Sequence, residues 1–322
     1  MRKLIQFIIH SKTTTYIAAL LCACSWWFSI DFHSSWLLPS IISLAYLALG
    51  LYLMHTDTCS YFTISGKSTL AGTLFMMGCA LAPQMATDLT VMKHFILLAM
   101  AGLLLLQTYR RNDAMGTYFM AFSLIGTASL ITPTILFGAP ILMICCSLLK
   151  SLHLRTVLAS LLGLLLPYWV TTCVLFLTDT PLPIDEFIHS FLTPAAASTS
   201  PQGDALFIKG NALSHEILQT LWLLLLTIPS IITTFFSRNI LKARTQLNLY
   251  FLTIVQLLLA IIIIIFPTLF MTMLPLLLLI CSILGGTFFI RNYRGARIYL
   301  IILMIVWLFI IALSAWNNCT IY

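Results

Sequence analysis

From Phe251 to Phe266 the chain reads FLTIVQLLLAIIIIIF, sixteen residues without one ionisable side chain. Nothing else in the sequence limits the fold so strongly, because runs of this kind recur along the whole chain. A run of about 17–25 apolar residues is long enough to cross a bilayer as a helix. Such runs fall at 13–30, 36–54, 69–86, 90–108, 114–131, 133–149, 156–178, 217–236, 247–266, 268–290 and 298–316, which predicts eleven spans. Thr132-Pro133 and Phe266-Pro267 mark tight turns, since proline cannot continue a helical hydrogen-bond ladder.

Composition enters as the test of this reading. Only 8% of the residues are charged, whereas soluble domains carry about 25%. That is too little polar surface to cover a water-facing globule, so lipid must be the solvent for most side chains. In lipid the backbone has to satisfy its own hydrogen bonds, as helices or as a closed barrel. The ten-residue alternation of a membrane barrel is absent. The expected fold is all-α, a polytopic transmembrane helix bundle forming a single membrane domain over residues 1–322. The N-terminus MRKLIQFIIHSKTTTYIAALLCACSWW lacks an A-x-A-like cleavage site and reads as an uncleaved first span.

Loop charge sets the orientation. With the N-terminus in the cytoplasm, every basic residue except Lys93 and Lys209, that is 14 of 16, falls on the cytoplasmic side. The positive-inside rule then puts the C-terminus outside. The net charge of +7 follows from this topology and argues for no nucleic-acid partner. Trp26, Trp27, Trp36, Trp169 and Trp316 fall near outer span ends, where interfacial aromatics are expected. The nine cysteines lack the spacing of a zinc site or disulfide framework, and most sit in apolar runs as small hydrophobes.

One internal echo stands out. TPTILFGAPILMICCSLL (132–149) is similar to FPTLFMTMLPLLLLICSIL (266–284), and both precede a basic turn, as a parallel repeat would. ISGKST (64–69) ends like a phosphate-binding loop, but Tyr61 replaces the leading glycine and no strand precedes it.

The long extramembrane segment, 179–216, is expected outside the cell membrane. Within it Ile184, Phe187, Ile188, Phe191 and Leu192 fall on one helical face, bounded by Pro183 and Pro194. This predicts an amphipathic surface helix at about 183–193, with Asp185, Glu186 and His189 on its polar face. No charged residue sits at the centre of a span, which argues against a proton- or ion-coupled pump.

The ionisable residues instead collect outside: Asp31 and His33 in the first outer loop, Asp88, Lys93 and His94 in the second, and Asp185, Glu186, His189 and His215 in the long one. A carboxylate there can act as general base on a hydroxyl, or hold a divalent cation on a phosphate. A histidine can transfer protons near neutral pH. The bland alternative is that short outer loops need polar residues and positive charge is excluded from them, so acids remain.

Tyr109–Trp169 contains a basic-acidic turn (Arg111, Asp113), a span ending at Pro133, a basic turn ending in Arg155, and a span with Gly163, Pro167 and Tyr168. In that order it resembles the central segment of a family of Bacteroidota polytopic inner-membrane proteins, which implies a lineage and a layout. The N-in arrangement, Asp31 in the first outer loop and the surface helix also resemble polyprenyl-phosphate-sugar-dependent membrane glycosyltransferases. That likeness implies Asp31 as the base, although SIDFHSSW is far shorter than that family's first outer loop. O-antigen ligases and polymerases share the late outer loop with histidine, here approached by NALSHEILQTLW, without their arginines.

Together these features predict a multi-pass protein of the bacterial inner membrane, acting in envelope biogenesis. It would handle a lipid or a polyprenyl-linked glycan at the outer leaflet, through Asp31, His33, Asp185, Glu186, His189 and His215. Two readings stay open: glycosyl or polymer transfer, and a non-catalytic facilitator or assembly partner of another membrane protein.

Overall fold

A computed structural model describes residues 12–29, 37–55, 70–82, 85, 88–109, 113–178, 220, 222–228, 231, 234, 243–266, 269–291 and 298–309. These form helices α1 (Lys12–Ser29), α2 (Leu37–His55), α3 (Leu70–Ala80), α4 (Leu89–Leu106), α5 (Met115–Ile131), α6 (Gly138–Cys145), α7 (Leu154–Leu177), α8 (Ala243–Ile265), α9 (Phe270–Arg291) and α10 (Ile298–Phe309). Short 3₁₀ turns at Pro133–Phe137 and Cys146–Leu149 flank α6. No strand occurs among the described residues. Among the described residues, four segments are long and apolar enough to cross a membrane: Leu89–Leu106, Leu154–Leu177, Thr245–Ile265 and Phe270–Phe289. The chain divides into two compact units, one of Met1–Met92, Gly210–Thr253 and Leu277–Tyr322, the other of Lys93–Lys209 and Ile254–Leu276.

In the first unit α3 is the inner element. All eleven of its residues are buried. At about 1.5 Å per residue it is roughly 16 Å long, far short of a bilayer's hydrocarbon core of about 30 Å. Its C-terminal carbonyls therefore end inside the protein, where an unmatched group costs several kcal/mol. Each finds a donor. Trp307 Nε1 donates to the Met77 oxygen at 2.8 Å, and the Leu81 N–H to that of Gly78 at 3.1 Å. The Cys79 oxygen accepts from Trp26 Nε1 at 2.8 Å, and that of Ala80 from Ser25 Oγ at 2.7 Å. Trp26 is thus an internal residue, packed edge-on against Tyr46 with ring centroids 5.8 Å apart, and not the interfacial anchor its position in the sequence predicts.

Close approach builds the rest of this unit. A methyl group on Gly286 would lie 3.2 Å from the Ala71 Cβ and 3.3 Å from the Ala71 backbone. The Tyr299 hydroxyl donates to the Leu225 carbonyl.

In the second unit the most extensive pairing is between α5 and α7. Only Thr156, Ser160, Gly163 and Pro167 of α7 are buried, one narrow stripe of small or compact side chains at helical spacing. Small residues let backbones meet, and apolar burial gives no drive between helices surrounded by lipid. A methyl group on Gly163 would stand 2.3 Å from the Phe119 carbonyl oxygen, and one on Gly126 would stand 2.6 Å from that of Leu164. Hydrogen bonds tie the contact at both ends. Ser129 Oγ and the Tyr168 hydroxyl are 2.8 Å apart, as are the Tyr118 hydroxyl and Ser151 Oγ. Ser151 in turn donates to Thr108 Oγ1 at 3.2 Å. The remaining faces of α7 carry exposed Leu158, Leu162, Leu165, Trp169 and Phe176.

The segment 133–149 is not one helix. Thr132 is extended (φ −131°, ψ 100°), a 3₁₀ turn follows, α6 starts at Gly138, and a second 3₁₀ turn ends at Lys150, whose φ is +54°. Pro140 explains the restart. It is the third residue of α6, within the first turn, where no intrahelical N–H is needed. The matching stretch 266–284 behaves differently: α9 runs unbroken through Pro275. The difference is shown from Phe270 onward, where the second stretch is one helix.

Candidate functional site

The six residues that the sequence nominates, Asp31, His33, Asp185, Glu186, His189 and His215, lie outside the described residues, as does the expected surface helix at 183–193. Among the described residues no group of three or more His, Cys, Asp or Glu side chains could hold a metal ion. Of the second outer loop, Asp88, Lys93 and His94 are described.

Asp88 has a local task. Its Oδ1 accepts the Thr90 N–H at 2.8 Å and the Thr90 hydroxyl at 2.6 Å, which caps the first turn of α4. Lys93 is exposed on that helix. His94, one residue on, is 1% exposed and its Nε2 hydrogen-bonds the Thr132 hydroxyl, at the turn that closes α5. Two residues further, Thr134 is 5% exposed and its Oγ1 has no hydrogen-bond partner. Sequence reasoning grouped His94 with the outer loop but gave Thr132 and Thr134 no role beyond flanking Pro133. A pair of hydroxyl residues around a helix-ending proline was the available signal.

Next to this polar turn lies an apolar groove of about 470 Å³, lined by Phe137, Ile141 and Cys145 on one side and by residues of α8 from Ile254 to Ile265, with Phe266, on the other. All its lining residues are Phe, Ile, Leu or Cys. Phe137 stacks on Phe266, centroids 5.8 Å apart and planes at 17°, and Gly138 lies against Ile262. Several lining side chains, among them Ile141 and Ile261, are exposed, so the groove opens sideways. Such a slot holds hydrocarbon and rejects anything that must be hydrated.

Cys22, Cys79, Cys145, Cys146 and Cys281 are free and buried, while Cys24 and Cys173 are free and exposed.

Helices without strands among the described residues, four of them long and apolar enough to span, define an all-helical membrane protein. Comparison with known proteins adds no family: no family model matches the chain, and no curated protein or solved structure is similar to it.

Proposed function

We propose that the chain is a multi-pass protein of the bacterial inner membrane, with eleven spans, a cytoplasmic N-terminus and an extracytoplasmic C-terminus. Its task on this reading is to handle a lipid or lipid-linked glycan at the outer leaflet during envelope biogenesis. The observation that carries it is the groove: about 470 Å³ of wholly apolar space, open sideways, fits one hydrocarbon chain. The distribution of basic residues supports the orientation, and under it the Thr132-Pro133 turn lies at the outer face.

The chemistry would come from the outer loops. Asp31, Asp185 and Glu186 would supply carboxylates as general bases, or as ligands for a divalent cation on a phosphate. His33, His189 and His215 would move protons. Asp31→Ala, Asp185→Ala, Glu186→Ala and His215→Ala, each expressed at the wild-type level in cells lacking the chain, test this through the amount of lipid-linked glycan left in the membrane. Accumulation in any of them supports transfer. Full complementation by all four would falsify the catalytic reading.

One observation favours a second reading, a non-catalytic partner of another membrane protein. The exposed faces of α7 are broad enough to receive a neighbouring helix. A stoichiometric second protein, retained through purification and lost when Leu162 and Leu165 are replaced by Trp, would establish that role. Orientation has its own test: cysteines introduced at Lys67 and Arg110 should react only after permeabilisation, and those at Lys93 and Lys209 from outside.

A further inference from the structure

At the start of α7 the turn leading into the helix carries Lys150, His153 and Arg155, all exposed. Among the described residues none of the three forms an ion pair, and Asp113, exposed before α5 at the same end of the unit, pairs with none of them. The positive-inside rule accounts for the side of the membrane on which such residues stay, but it needs no fixed geometry. This turn is fixed. Ser151 is buried, with its Oγ 2.8 Å from the Tyr118 hydroxyl of α5 and donating to Thr108 Oγ1 at 3.2 Å. Thr156, also buried, accepts the His153 N–H and donates its hydroxyl to the His153 carbonyl, each at 2.8 Å. Lys150 holds a left-handed backbone at φ +54°, a strained conformation for a residue with a side chain.

The depth of the turn follows from α7. Its 24 residues make it about 36 Å long, more than a hydrocarbon core of about 30 Å. Leu154, Leu158 and Leu162 are exposed on it and call for hydrocarbon, so the residues around Leu154 stand where acyl chains meet headgroups. We propose that this turn binds the head of one anionic phospholipid. The lipid phosphate accepts hydrogen bonds from the Lys150 ammonium and the Arg155 guanidinium, with His153 on the same turn, and the acyl chains run from Leu154 along α7. The occupant is a phospholipid because unpaired positive charge sits directly above exposed leucines, the complement of an anionic head above its tails. The proposal does not rest on the outer-leaflet reading. The 17 residues of α5 put this turn roughly 25 Å from the Thr132 turn, and under the orientation proposed above it faces the inner leaflet.

The test titrates the full chain in detergent micelles with phosphatidylglycerol or phosphatidylcholine of identical acyl chains and counts bound lipid by native mass spectrometry. Phosphatidylglycerol is expected to bind about tenfold more tightly or better, with a preference that shrinks as salt rises. Lys150→Gln and Arg155→Gln should each weaken phosphatidylglycerol binding about fivefold, the worth of one charge at a membrane surface. A fall in either variant places the headgroup on this turn. Lys93→Gln, exposed near the start of α4, should bind like the wild type. Melting in phosphatidylcholine should be the same for all variants, because neither Lys150 nor Arg155 lends its side chain to the hydrogen bonds that fix the turn, so a folding defect would show separately. Phosphatidylcholine bound as tightly as phosphatidylglycerol, or a preference that neither Lys150→Gln nor Arg155→Gln lowers, overturns the proposal. So does inorganic phosphate binding as tightly as the lipid, since the turn would then be a site for the free ion. The outer-leaflet reading fails or stands by its own cysteine accessibility, whatever this titration gives.

Discussion

Tryptophan 26 illustrates what a single residue can and cannot announce. Its sequence position fits an interfacial anchor, and its buried indole instead completes the end of a helix 53 residues away. Trp307 does the same from 230 residues away. Neither partner is legible in the chain, because the acceptors are backbone carbonyls and carry no residue signature. Replacing Trp307 with Phe keeps the ring and removes the donor, so the Met77 carbonyl loses its indole partner. A loss of about 1–3 kcal/mol is expected in detergent unfolding. Glycine tells a similar story. Gly163→Ala and Gly126→Ala would drive a methyl into facing carbonyls and should each cost about 1–3 kcal/mol. Gly102→Ala, where a methyl meets nothing within 4 Å, should leave stability unchanged or raise it by up to about 1 kcal/mol. If all three variants behave alike in the same unfolding assay, close backbone approach is not what holds α5 to α7.

At the scale of elements, the helices were legible and their inner faces were not. Apolar runs name a membrane helix by composition, but both of its sides are apolar, so no moment separates inside from outside. On α7 the inward stripe is the less greasy one, Thr156, Ser160, Gly163 and Pro167, and its 4-3-4 spacing was readable beforehand as small residues on one face. The echo of 132–149 in 266–284 did not disclose the local fold, for a related reason. Similar letters fold as three pieces over 133–149 and as one helix from Phe270 onward, because Pro140 lies in the first turn of its helix whereas Pro275 lies deeper, where a continuous helix simply forgoes a bond. The first segment ends on Lys150 in a left-handed conformation, which costs a side-chain-bearing residue roughly 1–2 kcal/mol. Lys150→Gly should therefore raise the melting temperature, partly offset by glycine's freedom in the unfolded chain. A lowered melting point would mean that the lysine side chain contributes more than the backbone there loses.

For the molecule as a whole, the membrane class followed from the scarcity of charge, because no soluble fold can be covered with so few polar groups, and the all-helical architecture from the missing alternation of a barrel. The candidate site followed only in part. Asp88, nominated for chemistry, is accounted for by capping α4; His94 is held by a hydroxyl that no motif would have paired with it; and the groove depends on a bend that only three-dimensional packing reveals. The indole of Trp307 has one more consequence, in the order of synthesis. Translation at about 5–20 residues per second delivers Trp307 roughly 10–50 s after Met77. Until then the Met77 carbonyl at the buried end of α3 lacks its indole donor. A nascent chain arrested before Ile298 should be cut by a membrane-active protease near α3, and one released after Phe309 should resist it. On that outcome α10 is a latch on a structure begun much earlier, and a premature stop before it would spoil the first-made part as well as the last.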